Sequence, residues 1–310
     1  MRLCLTTLSL KQTSNVKRLG GCVMSQQTKK SSNSNMTTIM VALVLCLVCS
    51  VMVSAVAVGL KPAQLDNQLL DRNKNILVAA GLFDPAKDTN QDVEERFKDF
   101  EVKLVDLQKG QYATEQELTT AGITDIDKYD ADQASKNKAL SIDLGNDDPA
   151  GIGSTPKFAK VYVKNDANGK PELMVLPVHG YGLWGTMYGF LTLEGDLNTV
   201  KGISWYAHKE TPGLGARIEE DKWRDQWKGV HAYNDQGEVA TGVTKAGQPK
   251  PNENWVDGIS GATLTSAGVK NLIQFWLGDR GYKPFLDNLR SGTPNNTANA
   301  QTSTTAGEEA

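Results

Sequence analysis

Apolar residues follow distinct rhythms along the chain, and each rhythm predicts a different element. No charged side chain lies between Lys30 and Lys61, and the apolar run from Ile39 to Leu60 reads IMVALVLCLVCSVMVSAVAVGL. As a helix those residues span about 33 Å, against a hydrocarbon core of about 30 Å. A cleaved signal peptide is the competing reading, with Ala55-Val56-Ala57 as the small-residue cleavage site. Signal h-regions are only about 7 to 15 residues long, so the length predicts a retained anchor. Leu45 and Val48 before Cys46 and Cys49 argue against a lipoprotein site. Leu65, Leu69, Ile76 and Ala80 then recur near helical spacing, with Leu70 and Leu77 alongside, so the helix continues until Gly81.

Further along the chain, the period changes. Residues 85–150 are mixed and acidic, with a helix expected around Val93 to Phe100 and no evident chemistry. From Phe158 to Lys164 the chain alternates as a strand; Asp166-Ala-Asn-Gly169 is a turn, and Leu173 to Val178 is a second strand. Thr186–Glu194 and Val200–Tyr206 form another pair around Gly195-Asp196. Val269, Leu272, Ile273, Trp276 and Leu277 share one face of an amphipathic helix. After Ser291 the chain is too polar to fold. The expected fold is α+β: a single N-terminal transmembrane helix, then an exported domain of antiparallel strands and flanking helices. The expected divisions are 1–35 as a cytoplasmic segment (1–23 a start-site extension, with Met24 a second start), 36–60 as the transmembrane helix, 61–155 as a helical part, 156–290 as the principal domain and 291–310 as a disordered tail.

Charge sharpens this division. The net charge of −3 combines a basic leader with an acidic body. Residues 1–60 carry six Lys and Arg and no acid, leaving 27 basic and 36 acidic side chains beyond, a net of −9. Basic residues before the span keep the N-terminus cytoplasmic and export the body. An acidic body argues against general nucleic-acid binding, which needs clustered Lys and Arg. Cys4, Cys22, Cys46 and Cys49 all precede residue 50, so the body has no thiolate chemistry or disulfide, and three histidines make a multi-histidine metal site improbable. No metal is expected.

The run Asp257-Gly258-Ile259-Ser260-Gly261-Ala262-Thr263-Leu264-Thr265-Ser266 places hydroxyls and backbone amides at a helix start. Three readings stand open from the residues alone. The first is ordinary capping by Thr265 or Ser266. The second is an anion site, phosphate above all, at the helix N-terminus. The third is a near-GxSxG nucleophile elbow on Ser260, which would make the chain a membrane-anchored serine hydrolase but needs a histidine that nothing marks. Two more glycine-rich runs stand out, Pro177-Val-His179-Gly180-Tyr181-Gly182-Leu183-Trp184 and His208-Lys-Glu210-Thr211-Pro212-Gly213-Leu214-Gly215. By themselves they read as tight loops with positive-φ positions and, at Trp184, as core. Arg217, Trp223 and Trp227 read as packing and surface residues.

The run from Asp257 to Thr263 resembles the flavinylation motif of FMN-binding subunits in bacterial respiratory complexes. HGYGLW, ETPGLG and SGATLTS together are similar to the family of C subunits of sodium-translocating NADH:quinone reductases, over about Met36 to Arg290. The G subunit of the related ferredoxin-linked electron-transport complex is the alternative, but it is shorter, lacking much of residues 85–150. The N-terminal 23 residues and the tail after Ser291 lie outside the family pattern. The resemblance makes 156–290 an FMN-binding domain and implies covalent FMN, joined by a phosphoester to Thr263. A flavin transferase using FAD and a metal ion would attach it after export, with Asp257 helping to activate the hydroxyl. Ser260, Gly261, Ala262 and Leu264 would shape the loop around the phosphate. Thr211, Gly213 and Leu214, with Leu183 and Trp184, would flank the isoalloxazine, while Glu210 orders the loop. The implied role is an electron relay in the inner membrane between subunits of a sodium-pumping NADH:ubiquinone oxidoreductase. No GxGxxG fold unit for NADH is present, and the single span has no ionisable residue for pumping sodium alone.

Overall fold

In the computed structural model, which describes residues 32–292, helix α1 runs from Ser32 to Ala79. The chain divides into two units, Met1–Lys61 and Pro62–Ala310. In the first, every described side chain from Met36 onward is exposed, and the apolar stretch is long enough to cross a membrane. The expected extension to about Gly81 is present: α1 ends at Ala79, the amide of Leu82 returns to Leu77 O at 2.8 Å, and Gly81 takes φ +69°. A left-handed glycine just past the last turn satisfies carbonyls that the helix leaves free.

The second unit is built on one antiparallel sheet. Helix α2 (Asn90–Phe97) starts with a capping box in which Thr89 and Asp92 bond each other's backbone. Strand β1 (Phe100–Asp106) and the short β2 (Gln111–Tyr112) follow, then helices α3 (Glu115–Thr120) and α4 (Ala131–Lys136), and a small ladder of β3 (Ser141–Asp143) with β4 (Ser154–Pro156). The main strands are β5 (Phe158–Asn165), β6 (Pro171–Tyr181), β7 (Thr186–Glu194) and β8 (Val200–Ala207). The sheet order is β2-β1-β5-β6-β7-β8, with hairpin neighbours from β5 onward. After the short helix α5 (Asp221–Arg224), β9 (Gly242–Val243) and β10 (Trp255–Val256) form a parallel pair. Helices α6 (Thr263–Trp276) and α7 (Lys283–Arg290) complete the described chain.

Two layers cover the sheet. On one face the end of α1 buries Ile76, Leu77, Ala79 and Ala80 against Tyr162, Val175 and Phe190. On the other, α6 buries Val269, Leu272, Ile273 and Trp276, as its apolar stripe predicts, in a core with Met174, Leu176 and Leu191. Each such aliphatic side chain contributes about 1.5–3 kcal/mol on burial. Glycine permits the closest approach, since a Cβ on Gly180 would lie 2.5 Å from Leu272 Cβ.

The sequence-based division at 155 is not where the molecule divides. Residues 61–155 are not a helical part. Their strand β1 pairs with β5 over seven positions, Phe100↔Lys164 to Asp106↔Phe158. Phe100 therefore starts a strand, and the helix expected to reach it ends at Phe97. The cause is non-local, because β1 finds its hydrogen-bonding partner some sixty residues downstream. Residues 1–31 and 293–310, including most of the expected cytoplasmic segment and tail, lie outside the described residues.

Candidate functional site

The three glycine-rich runs meet at one carboxylate. Glu210 lies just beyond β8 and is only 5% exposed. Its Oε1 accepts the amides of Leu183 (2.9 Å) and Trp184 (3.0 Å) from the β6–β7 turn. Its Oε2 accepts the hydroxyl of Thr265, in the first turn of α6, at 2.5 Å. Its own amide donates to His208 Nδ1 at 3.1 Å. Glycines make room for this carboxylate. A Cβ on Gly182 would lie 2.5 Å from Oε1, and one on Gly215 would lie 2.6 Å from both Oε2 and Thr265 Oγ1. Gly268, one turn along α6, lies against Tyr181 O, where a Cβ would stand 2.5 Å away. One side chain thus accepts three hydrogen bonds from two separate segments and holds the loops in register.

The loop from Asp257 to Ala262 is pinned by its backbone. Trp223 Nε1 donates to Asp257 O at 2.8 Å, and the Asp257 amide donates to Gln226 Oε1 at 3.1 Å. A Cβ on Gly258 would come 2.2 Å from Thr244 O. The carboxylate of Asp257 stays exposed, 3.4 Å from Lys250 Nζ. Gly261 takes φ +80°, a conformation strained for any residue with a Cβ, and turns the chain into α6.

Capping by Thr265 or Ser266, one of the three readings the residues left open, does not occur. Ala262 is the N-cap residue, and no side chain caps the helix. Thr265 is turned to Glu210, while Ser266 Oγ accepts the Ile259 amide at 2.9 Å, bracing the preceding loop from below. The first-turn amides are thus left for an anion, at the end of the helix that favours one. Thr263, the first helical residue, is exposed beside them.

Around Thr263 the surface is unusually apolar. Outside α1, the exposed large hydrophobic residues among those described are Tyr181, Leu183, Trp184, Leu214 and Leu264. Leu183 and Trp184 are tied to Glu210 through their amides, and Leu214 Cδ2 would lie 3.3 Å from a Cβ on Gly261. Trp184, at 61% exposure, is not core as the bare sequence allowed. Gly213 has the expected positive φ of +74°, and Thr211 O accepts the amides of Leu214 and Ala216, closing the ETPGLG turn. The structure therefore groups Ser260, Gly261, Ala262, Thr263 and Leu264 with Glu210, Gly213, Leu214, Leu183 and Trp184; Thr211 and Asp257 stand at its edges.

Ser260 is exposed and has no histidine in hydrogen-bond contact. His208 is engaged by the Glu210 amide and lies 2.9 Å from Glu219. His179 packs against Trp276 and Tyr188, and His231 lies 3.4 Å from the Asn198 side-chain amide. Trp223 and Trp227 are buried, as expected, and Arg217 pairs with Glu220 on the surface. Among the described residues no cluster of metal-ligating side chains occurs. The sequence reading missed Thr265 as the partner of Glu210. Its available signal was position: Thr265, Gly268, Val269 and Leu272 share the inward face of α6, which marks that hydroxyl as buried.

An uncapped helix start, an exposed threonine and a group of exposed apolar side chains suit a ligand with a phosphate and an apolar ring. A family model described as an FMN-binding domain matches residues 182–278, a span that holds all three runs from Gly182 onward. The C subunit of the Na(+)-translocating NADH-quinone reductase of Pseudomonas aeruginosa is 43% identical over 84% of this chain and 98% of its own length. Its namesake from Yersinia pestis is 39% identical over 88% of this chain and all of its own. The crystal structure of Shewanella oneidensis NqrC aligns with a TM-score of 0.62 at 30% identity, covering 71% of this chain and 96% of that one. The chain belongs to the family of C subunits of Na(+)-translocating NADH-quinone reductases.

Proposed function

We propose that this chain is the electron-relay flavoprotein subunit of a sodium-pumping NADH:ubiquinone oxidoreductase, carrying FMN as a phosphoester on Thr263. The observation that carries this reading is the exposed Thr263 hydroxyl at an uncapped helix start, beside an apolar wall. The phosphate would meet the first-turn amides of α6, with Ser260, Gly261 and Ala262 shaping the loop. Leu183, Trp184, Leu214 and Leu264 would face the ring and exclude water from it, with Thr211 and Gly213 in the adjoining turn. Glu210 holds those walls through its three accepted hydrogen bonds. Bound FMN would supply electron transfer in pairs and singly, and its surroundings would tune its potential. A phosphoester leaves the ring unmodified, so Thr263 positions the flavin without altering its conjugation.

Asp257 is assigned to the attachment step, where a flavin transferase would act on the exposed loop. Six basic residues before an uncharged span support a cytoplasmic N-terminus and a periplasmic domain in a bacterial inner membrane. The partners are then the other membrane subunits of the same complex. The apolar patch around Thr263 fits electron exchange with them. Co-expression with a flavin transferase should give a yellow protein whose denatured gel band fluoresces. A colourless wild-type protein under those conditions would overturn the reading. Labelling by a fluorophosphonate probe that is lost in Ser260→Ala would instead favour a hydrolase.

A further inference from the structure

Away from the Thr263 loop, a cavity of about 830 Å³ opens between residues 65–72 of α1, the 127–132 segment and the sheet. That size is typical of ligand sites, about 300–1,000 Å³. Tyr162, Phe190, Tyr206 and Trp276 line it with aromatic surface. Its charged groups are oddly placed. Lys160 is only 6% exposed, yet its ammonium has no carboxylate partner and donates only to the carbonyl of Asp127, at 3.2 Å. Arg72 lines the same space with a buried Nε that has no acceptor. Asp127 and Asp132 line it too, and neither carboxylate makes an ion pair among the described residues. Asp130 is already engaged in capping α4 through its carboxylate. Burial raises the pKa of Asp132 and pushes that of Lys160 down to about 8, as expected of charges short of partners.

Buried charges in proteins are normally paired. Here the buried Lys160 and the partly buried Arg72 and Asp132 line one cavity, with the exposed Asp127 at its mouth, without forming an ion pair among the described residues. A ligand carrying both charges satisfies both sets. A purely anionic group would bring a second negative charge against Asp127 and Asp132, and a purely cationic one would face Lys160 and Arg72. Leu65 and Leu69, about half exposed and one turn apart, add an apolar edge just after the uncharged stretch of sequence ends. We propose that this cavity binds a zwitterionic phospholipid, with its phosphate on Lys160 and Arg72, its ammonium against Asp127 and Asp132, and its apolar part along Leu65 and Leu69.

The full chain, purified in detergent and delipidated, tests this by native mass spectrometry after addition of phosphatidylethanolamine, phosphatidylglycerol or soluble phosphoethanolamine. Phosphatidylethanolamine should be retained about tenfold more than phosphatidylglycerol, and Lys160→Met or Arg72→Gln should each reduce its retention about tenfold, the cost of one charge-assisted contact. Equal retention of the two lipids, or retention unchanged in Lys160→Met, would overturn the proposal. Binding of soluble phosphoethanolamine as tight as that of the lipid would overturn the phospholipid assignment in favour of a free zwitterion. A melting measurement guards against a folding artefact. Without lipid, Lys160→Met should melt above the wild type because it removes an unpaired buried charge, and phosphatidylethanolamine should stabilise the wild type more than the variant. Lipid-dependent stabilisation of both proteins alike would count against the site.

Discussion

Thr265 donates its hydroxyl to Glu210 Oε2 at 2.5 Å, joining the loop after β8 to the first turn of α6. The other carboxylate oxygen holds the amides of Leu183 and Trp184, so one side chain sets the spacing of all three runs around Thr263. Glu210→Ala leaves two amides and a hydroxyl without their acceptor, and should destabilise the domain by about 2–4 kcal/mol. Glu210→Gln keeps an acceptor for the amides and offers an N–H to Thr265, so it should cost less than half as much. Urea unfolding of the two variants measures the difference. Equal losses would mean that packing, not hydrogen bonding, is what Glu210 contributes.

Gly215 tests the same junction from the side of space. An added methyl would lie 2.6 Å from both Glu210 Oε2 and Thr265 Oγ1, so Gly215→Ala must separate the pair. Overpacking of this kind costs about 1–3 kcal/mol. Flavin content after co-expression with the transferase should fall along with the melting temperature. Gly213→Ala should also destabilise, but through its φ of +74°, with no effect on the Glu210–Thr265 bond.

Asp257 separates attachment from folding. Its backbone is tied to Trp223 and Gln226, while its carboxylate is exposed. Asp257→Ala should therefore change stability by no more than about 0.5 kcal/mol, the usual range for surface changes. Its flavin content, read from fluorescence of the denatured band, should drop severalfold. Loss of fold in this variant would show that the side chain has a structural role the hydrogen bonds do not reveal.

His179 gives the domain an acid limit. Burial pushes its pKa down to about 4, from an ordinary value of 6.5. As pH falls, the unfolded chain takes up the proton first, so stability is full above about 6.5 and declines through the window down to about 4. The decline attributable to this ring is on the order of 3 kcal/mol at most. His179→Phe should flatten that part of the stability–pH curve measured by urea unfolding. An unchanged slope would assign the acid sensitivity to other groups.

Local rhythm made much of this fold legible. Thr186–Glu194 is the strand expected beside the Gly195-Asp196 turn, and the stripe from Val269 to Trp276 lies on the buried face of α6. What escaped was non-local. Strand β1 does alternate, with Phe100, Val102 and Leu104 apolar and Glu101 and Lys103 polar, but the run is short, lies in a mixed acidic region and is fixed by pairing with a strand far along the chain. The strands β9 and β10 are two residues each, too short for any period to register. Lys160 sits within an alternating strand that would ordinarily put lysine in water, yet the 127–132 segment covers it. At the site, the exposed members were visible as motifs. The Glu210–Thr265 bond was not, because it links residues 55 apart and Thr265 has an equally ordinary role as a cap.

The central claim is that FMN is tied to Thr263, and intact-mass spectrometry of the chain co-expressed with a flavin transferase tests it most directly. The wild type should gain the mass of one FMN less water, mapped by peptide fragmentation to Thr263, while Thr263→Ala folds normally and gains nothing. An unmodified wild type, or a Thr263→Ala protein that still carries the added mass, would contradict it.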